Sequence, residues 1–205
     1  MMPNEWISAI KDLLLGGAAV STAIVAVVGL NKWRKELEGK TDFDAARGLI
    51  KATYRLRDQL RICRSPFYSA HEFPADYKGG FGTRTNEEET RAWSHTYKNR
   101  WDPVLSAIQD FDSQTLEAEA LWGAGIRSRT DALRQCVREL NVAIDAVIND
   151  KAVGGENFKA DRDFGKAMRS TVAAAESDDK NELSNKIAAA IASIEDEIRP
   201  HLRRS

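Results

Sequence analysis

The feature that most constrains this chain is the uncharged run from Leu13 to Leu30, LLLGGAAVSTAIVAVVGL, eighteen residues without Asp, Glu, Lys or Arg. At ~1.5 Å per residue, a helix over that run measures about 27 Å, just enough to cross the hydrocarbon of a bilayer. Three readings compete: a spanning helix, a cleaved secretory signal and a buried core helix. The flanks discriminate. Glu5, Lys11 and Asp12 precede the run, whereas Lys32, Arg34, Lys35 and Lys40 follow it. A secretory signal carries its positive charge on the N-terminal side, and here that charge lies on the other. The same asymmetry puts a short N-terminus outside and the long remainder in the cytoplasm. Trp6 and Trp33 flank the run, where indole rings favour the two interfaces.

The expected organisation is therefore a single-pass anchor. Residues 1–12 form an extracytoplasmic or interfacial N-terminus, 13–31 the transmembrane helix, 32–41 a juxtamembrane linker and 42–205 a cytoplasmic helical bundle. Trp6, Ile7, Ile10 and Leu14 recur at helical spacing, so the stretch before the run either extends the helix or lies along the outer interface. Within the span, Gly17, Ser21, Val25 and Gly29 follow one line at steps of four, with Ala18, Thr22 and Ala26 beside it. Close backbone approach along small residues drives helix association in lipid, so this line is the candidate association face.

The remaining composition narrows the classes. With 205 residues and 42% hydrophobic side chains, the chain has enough apolar material for one ordinary core. Thirty basic against 31 acidic residues leave a net charge of −1, without the surplus that non-specific nucleic-acid binding requires. Nucleic acid is not an expected partner. Cys63 and Cys136 lie far apart and outside any metal-ligand spacing, which reads as two reduced thiols.

After Trp33 the pattern becomes that of an amphipathic, all-α protein. Thr41-Asp42 is a start signal for a helix over FDAARGLIKATYRLRDQLRICR, closed by Ser65-Pro66. Leu49, Leu56 and Cys63, joined by Ala46, Thr53 and Leu60, make its apolar stripe. Its remaining surface carries Arg47, Lys51, Arg55, Arg57, Arg61 and Arg64, a candidate basic face for phosphate, lipid headgroups or an acidic partner. The plainer reading is a solvated face paired with acidic neighbours.

Residues 65–84, SPFYSAHEFPADYKGGFGTR, break the helical pattern for twenty residues. Five aromatics there, Phe67, Tyr68, Phe73, Tyr77 and Phe81, together with His71, either pin the loop to the bundle or form a partner-recognition surface. Pinning is the expectation. GGFG lacks the downstream Lys-Ser/Thr of a phosphate loop. Thr85-Asn86-Glu87-Glu88 is a capping box that starts a helix bearing Trp93, Tyr97, Trp101 and Leu105 at steps of four. Asp102-Pro103 should kink or restart it, and Val104, Leu105, Ile108, Phe111, Leu116 and Trp122 continue an apolar face to Gly123.

The next helix, Ile126 to Lys151, carries two heptad series: Ile126, Leu133, Leu140 and Val147, and Thr130, Val137 and Ile144. Beyond Gly154-Gly155, Phe164, Ala167, Met168 and Val172 mark a further helix. A last one after Ser177-Asp178 carries Leu183, Ile187, Ile191, Ile194, Ile198 and Leu202. Arg199, Arg203 and Arg204 close the chain where they complement its dipole.

No arrangement of residues carries chemistry. His71, His95 and His201 are widely separated, and no nucleophile elbow, Walker motif or dinucleotide fingerprint occurs. His71-Glu72 is a single titratable pair without convergent geometry. No catalytic residue, cofactor or metal is therefore expected. The favoured function is a non-enzymatic, membrane-anchored helical scaffold that binds lipid through its anchor and a protein partner through its bundle. An oligomerising membrane effector or pore subunit, of the kind used in bacterial defence or toxin systems, is the alternative. With no charge in Leu13–Leu30, only Ser21, Thr22 and backbone could line an ion path.

Overall fold

A computed structural model describes residues 4–77, 84–175 and 180–202, with side chains throughout except at 4–10, 12, 18 and 19. Phe81, the glycines of GGFG, Ser177-Asp178, Arg203 and Arg204 lie outside the described residues, as do the side chains of Trp6, Ile7, Ile10, Asp12 and Ala18. Among the described residues there are six helices and no strand: α1 (Asn4–Cys63), α2 (Asn86–Trp122), α3 (Gly125–Ala152), α4 (Glu156–Ala160), α5 (Arg162–Val172) and α6 (Glu182–Ile198). A short 3-10 turn, Ala70–Glu72, lies between α1 and α2. The chain divides into two compact units, one ending at Asp44 and one running from Ala45 to Arg203.

In the first unit the described residues are helical throughout, and every described side chain from Leu13 to Leu30 is exposed. The start expected at Thr41-Asp42 does not occur, because the stretch 32–41 that leads into it is itself helical. The physical reason is local. Lys35, Glu36, Leu37, Glu38 and Lys40 are good helix formers, and Arg34 bonds Glu38 one turn on at 2.9 Å. A capping side chain starts a helix only where the incoming backbone is not already helical.

The second unit follows from the heptads. Leu49, Leu56 and Leu60 of α1, Val104 and Phe111 of α2, Ile126, Leu133 and Leu140 of α3, and Leu183, Ile194 and Ile198 of α6 are all fully buried in one core. Along α1 the α2 partners fall from Gln114, over Gly48, to Asp110 and Ser106, beside Arg55, so these helices run antiparallel. The same reversal relates α2 to α3 (Glu119–Arg127, Asp112–Arg134) and α3 to α6 (Arg129–Ser193, Glu139–Lys186). It also relates α6 to α1, through Tyr54–Glu195 and Arg64–Ser184. The result is an up-down-up-down four-helix ring, α1–α2–α3–α6, with α4 and α5 inserted before its last helix.

Buried threonines enter this core because each hydroxyl donates to a carbonyl one turn back. Thr53 reaches Leu49 at 2.8 Å, Thr96 reaches Ala92 at 3.1 Å, Thr115 reaches Phe111 at 2.8 Å and Thr130 reaches Ile126 at 3.2 Å. Both heptad series of α3 face inward, with Val147 partly buried. The capping box forms as expected: the Thr85 hydroxyl accepts from the Glu88 N–H at 3.2 Å, and Glu88 accepts from the Thr85 N–H at 3.0 Å.

Other elements depart from expectation. Of the two outcomes expected at Pro103, the restart does not occur and α2 runs through it; Asn99 and Pro103 are both exposed, so water can take the carbonyl that Pro103 leaves unbonded. Leu105 and Leu116 point outward, Leu116 at 61% exposure. Val104 and Phe111 face inward as expected, and Ala107 and Thr115 join them. Phe164 and Ala167 are exposed as well.

Helix α4, which periodicity did not reveal, follows Gly154 and Gly155 at φ +67° and +84°. It buries Phe158, whose N–H donates to Asp150 Oδ1 at 2.9 Å. The cap of α6 is Asn181, which accepts from the Ser184 N–H at 3.0 Å.

Candidate functional site

Helix α1 ends at Cys63 before Pro66, leaving carbonyls that need donors. Arg100 of α2 supplies them. Its guanidinium donates to Ser65 O at 2.7 Å, Phe67 O at 2.6 Å and Cys63 O at 3.4 Å, and pairs with Glu72 at 2.5 Å. It also lies 4.0 Å over the Tyr68 ring. Glu72 in turn accepts from the Ser69 N–H at 2.8 Å, which closes the 3-10 turn. The Arg100 hydrogen bond, opposed by partial burial, holds the Glu72 carboxyl below the usual carboxylate range.

Around this hub three of the loop aromatics, Tyr68, Phe73 and Tyr77, pack as expected for pinning. Tyr68 meets Trp93 edge-on at 4.8 Å, and its hydroxyl shares a 2.8 Å hydrogen bond with Tyr97. Phe73 stacks on Tyr77 at 4.8 Å and meets Trp93 at 5.4 Å. Burial, then the Tyr68 hydroxyl, pushes the Tyr97 phenol far up, so it stays protonated. Glu89 anchors the loop's far end, accepting from Tyr77 at 2.9 Å, Arg84 at 2.9 Å and Trp93 at 3.1 Å. Burial alone would raise its pKa, but those three donors hold it low.

Of the six candidate loop residues, Tyr68, Phe73 and Tyr77 are thus engaged in packing, and Phe81 lies outside the described residues. His71 is exposed, with Nδ1 2.8 Å from the Ser69 hydroxyl. Phe67 is 82% exposed on a backbone that Arg100 holds. A bulky ring presented in this way can enter an apolar pocket on another molecule without first ordering its own backbone.

The basic residues of α1 do not form one face. Arg47, Lys51 and Arg55 are exposed, and Arg55 pairs with Asp110 of α2 at 3.2 Å. Arg57 and Arg61 are exposed on the side of α6; Arg57 pairs with Asp58 at 2.9 Å and lies 4.7 Å over Tyr54. Arg64 is corrected outright: it is 4% exposed and staples α1 to the last two helices. It donates to Thr171 O at 2.8 Å, Ser184 Oγ at 3.0 Å and Asn181 Oδ1 at 2.7 Å.

The small-residue line Gly17, Ser21, Val25 and Gly29 is exposed, and a Cβ added at Gly17 or Gly29 would meet nothing within 4 Å. The Ser21 hydroxyl donates to Gly17 O at 2.9 Å within its own helix. Among the described residues no cluster of three His, Cys, Asp or Glu side chains could hold a metal ion. The sequence reading does not single out Arg100 or Glu89, and it weighs Glu72 only as half of the His71-Glu72 pair. The available signal was an arginine three positions after Tyr97, on the flank of the aromatic ladder. Compared with protein-family models, curated proteins and solved structures, the chain matches none.

Proposed function

We propose that this chain is a single-pass membrane protein whose helical bundle, on the cytoplasmic side, acts without catalysis as a scaffold for a protein partner. One observation carries the reading. The N-terminal helix contains an 18-residue window of mean hydropathy 2.3, and none of that window is buried within the chain. A core helix of the same composition would be covered by its own fold; here lipid is the cover that the physics asks for. The side of the positive charges, Lys32, Arg34 and Lys35, supports the orientation. The pinned loop with Phe67 outward supports the scaffold role.

Membrane fractionation of the full chain tests the anchor. The unaltered protein should stay with the membrane through an alkaline wash, and Val20→Arg with Val25→Arg together should release it, since each charge at mid-span costs about 2.5–3.5 kcal/mol. Release of the unaltered protein by the wash would end the anchor reading. Protection of the C-terminal part from protease added outside intact cells reports the orientation. For the scaffold role, Phe67→Ala should abolish co-purification of a bound protein at unchanged melting temperature.

The open small-residue line favours a second reading, in which the anchors of several copies associate and the protein works as an oligomeric membrane effector. Oligomeric state in detergent separates the two.

A further inference from the structure

At the end of the ring where α1 and α3 finish, α4 and α5 line a groove of about 420 Å³ together with Asp150; its walls carry Phe158, Lys159, Arg162 and Arg169. Helix α5 is set there by Arg64, just past α1, which donates to Thr171 O. Helix α4 is set by Asp150, near the end of α3, which accepts from the Phe158 N–H. Arg162, Lys166 and Arg169 recur on α5 at steps of four and three, so one flank of the helix carries all three. All three are exposed, and among the described residues none takes part in an ion pair or a side-chain hydrogen bond. We propose that this flank is a docking surface for an acidic helical segment of the protein partner, with Asp or Glu at the same steps. It rests on the scaffold reading and adds the partner's chemistry.

Each part supports that class. The Arg169 guanidinium lies 5.1 Å over the Phe158 ring, which orders its charge without neutralising it. Lys159 pairs with Glu156 at 2.7 Å, but the two side chains are 67% and 70% exposed, and such a surface pair yields to a better-placed carboxylate. Successive cations on α5 stand about 6 Å apart along the axis at a step of four, the same rise that separates carboxylates at that step on a facing helix. The nearby acids decide which polyanion fits. Asp161 is engaged as the cap of α5, accepting from the Phe164 N–H at 2.9 Å, and Asp163 stands about 100° round the helix from Arg162. A duplex, with a phosphate every ~1.7 Å, would meet Asp150, Glu156 and Asp163 along with the bases. A helix can set carboxylates opposite the three cations and other side chains opposite the acids.

The test titrates the full chain, in neutral detergent, into a dye-labelled, alanine-based helical peptide with Glu at steps of three and four, read by fluorescence anisotropy. Saturable binding tighter than about 0.1 mM is expected, weakening as salt is raised. Arg162→Gln with Lys166→Gln, at positions that hold no side-chain bond, should weaken it about tenfold or more at unchanged helical circular dichroism. Arg47→Gln with Lys51→Gln, at an exposed basic pair on α1, should leave it unchanged. Absence of binding overturns the proposal. So does equal weakening by the two double variants, which reduces the effect to unspecific charge, or binding of a DNA duplex or of phosphatidylserine vesicles as tightly as the peptide. The scaffold reading fails separately. Co-purified protein that Phe67→Ala removes but Arg162→Gln with Lys166→Gln retains would overturn this surface and leave the scaffold in place. Peptide binding that the α5 variant removes, in a chain with which no protein co-purifies, would support the surface and count against the scaffold alone.

Discussion

At the scale of single residues, the insertion between α3 and α6 depends on one missing methyl group. A Cβ on Gly165 would stand 2.7 Å from Phe158 Cβ and 2.8 Å from its Cγ, inside any van der Waals contact. Gly165→Ala should destabilise the protein by about 1–3 kcal/mol, read as a lower denaturation midpoint. The same change should cost much less once Phe158→Ala has emptied the space, because the two positions share one clash. A full cost retained in that background would place the strain elsewhere. Arg64 shows what position in the helix decides and residue type does not. It stands four residues after Leu60 and eleven after Thr53, on the buried stripe, whereas Arg57 and Arg61 stand off it. The spacing was legible in the sequence; counting arginines concealed it.

At the scale of elements, the loop between α1 and α2 is held by two carboxylates whose pKa values are lowered in the folded state. A lowered folded pKa stabilises fully above the unfolded value of about 4.3, and that contribution is lost as pH falls through the folded value. Below about pH 4 the loop should therefore loosen ahead of the ring. Trp93, which receives Tyr68 and Phe73 and donates to Glu89, is the reporter. Its fluorescence should shift in acid before helical circular dichroism falls, and Glu72→Gln should move that shift toward neutral pH. Coincident transitions would show the loop to be no weaker than the ring.

Helices were the most readable elements, because α3 repeats its apolar residues over three heptads and Thr85 with Glu88 spells the cap of α2. Helix α4 was not readable. Five residues give no period, and Phe158 is buried through a bond to Asp150 that lies beyond its own helix. At Thr41-Asp42 a cap signal was present but idle, because the backbone arriving there is already helical.

At the scale of the whole molecule, apolar stripes show that α1, α2, α3 and α6 must meet but leave their order open. The order is visible in polar pairs along the seams: Arg55–Asp110, Arg134–Asp112, Lys186–Glu139 and Tyr54–Glu195. In the sequence each of these is an ordinary surface residue, which is why the pairing was illegible there. The anchor has its own prediction. If copies associate along the small-residue line, Gly17→Leu with Ser21→Leu should reduce the oligomer in detergent to a monomer, measured by light scattering. An unchanged mass would remove that line as an interface.

The two thiols give the bundle built-in clocks. Cys63 lies on α1 and Cys136 on α3, diagonal corners of the ring, and both are buried, with burial raising the Cys63 thiol to about 11. Neither reacts until its corner opens, so the rate of alkylation counts opening events. Matched rates would mean that the ring breathes as one body. A faster Cys63 would date the release of the first helix and its loop, and would do so without any label added to the protein.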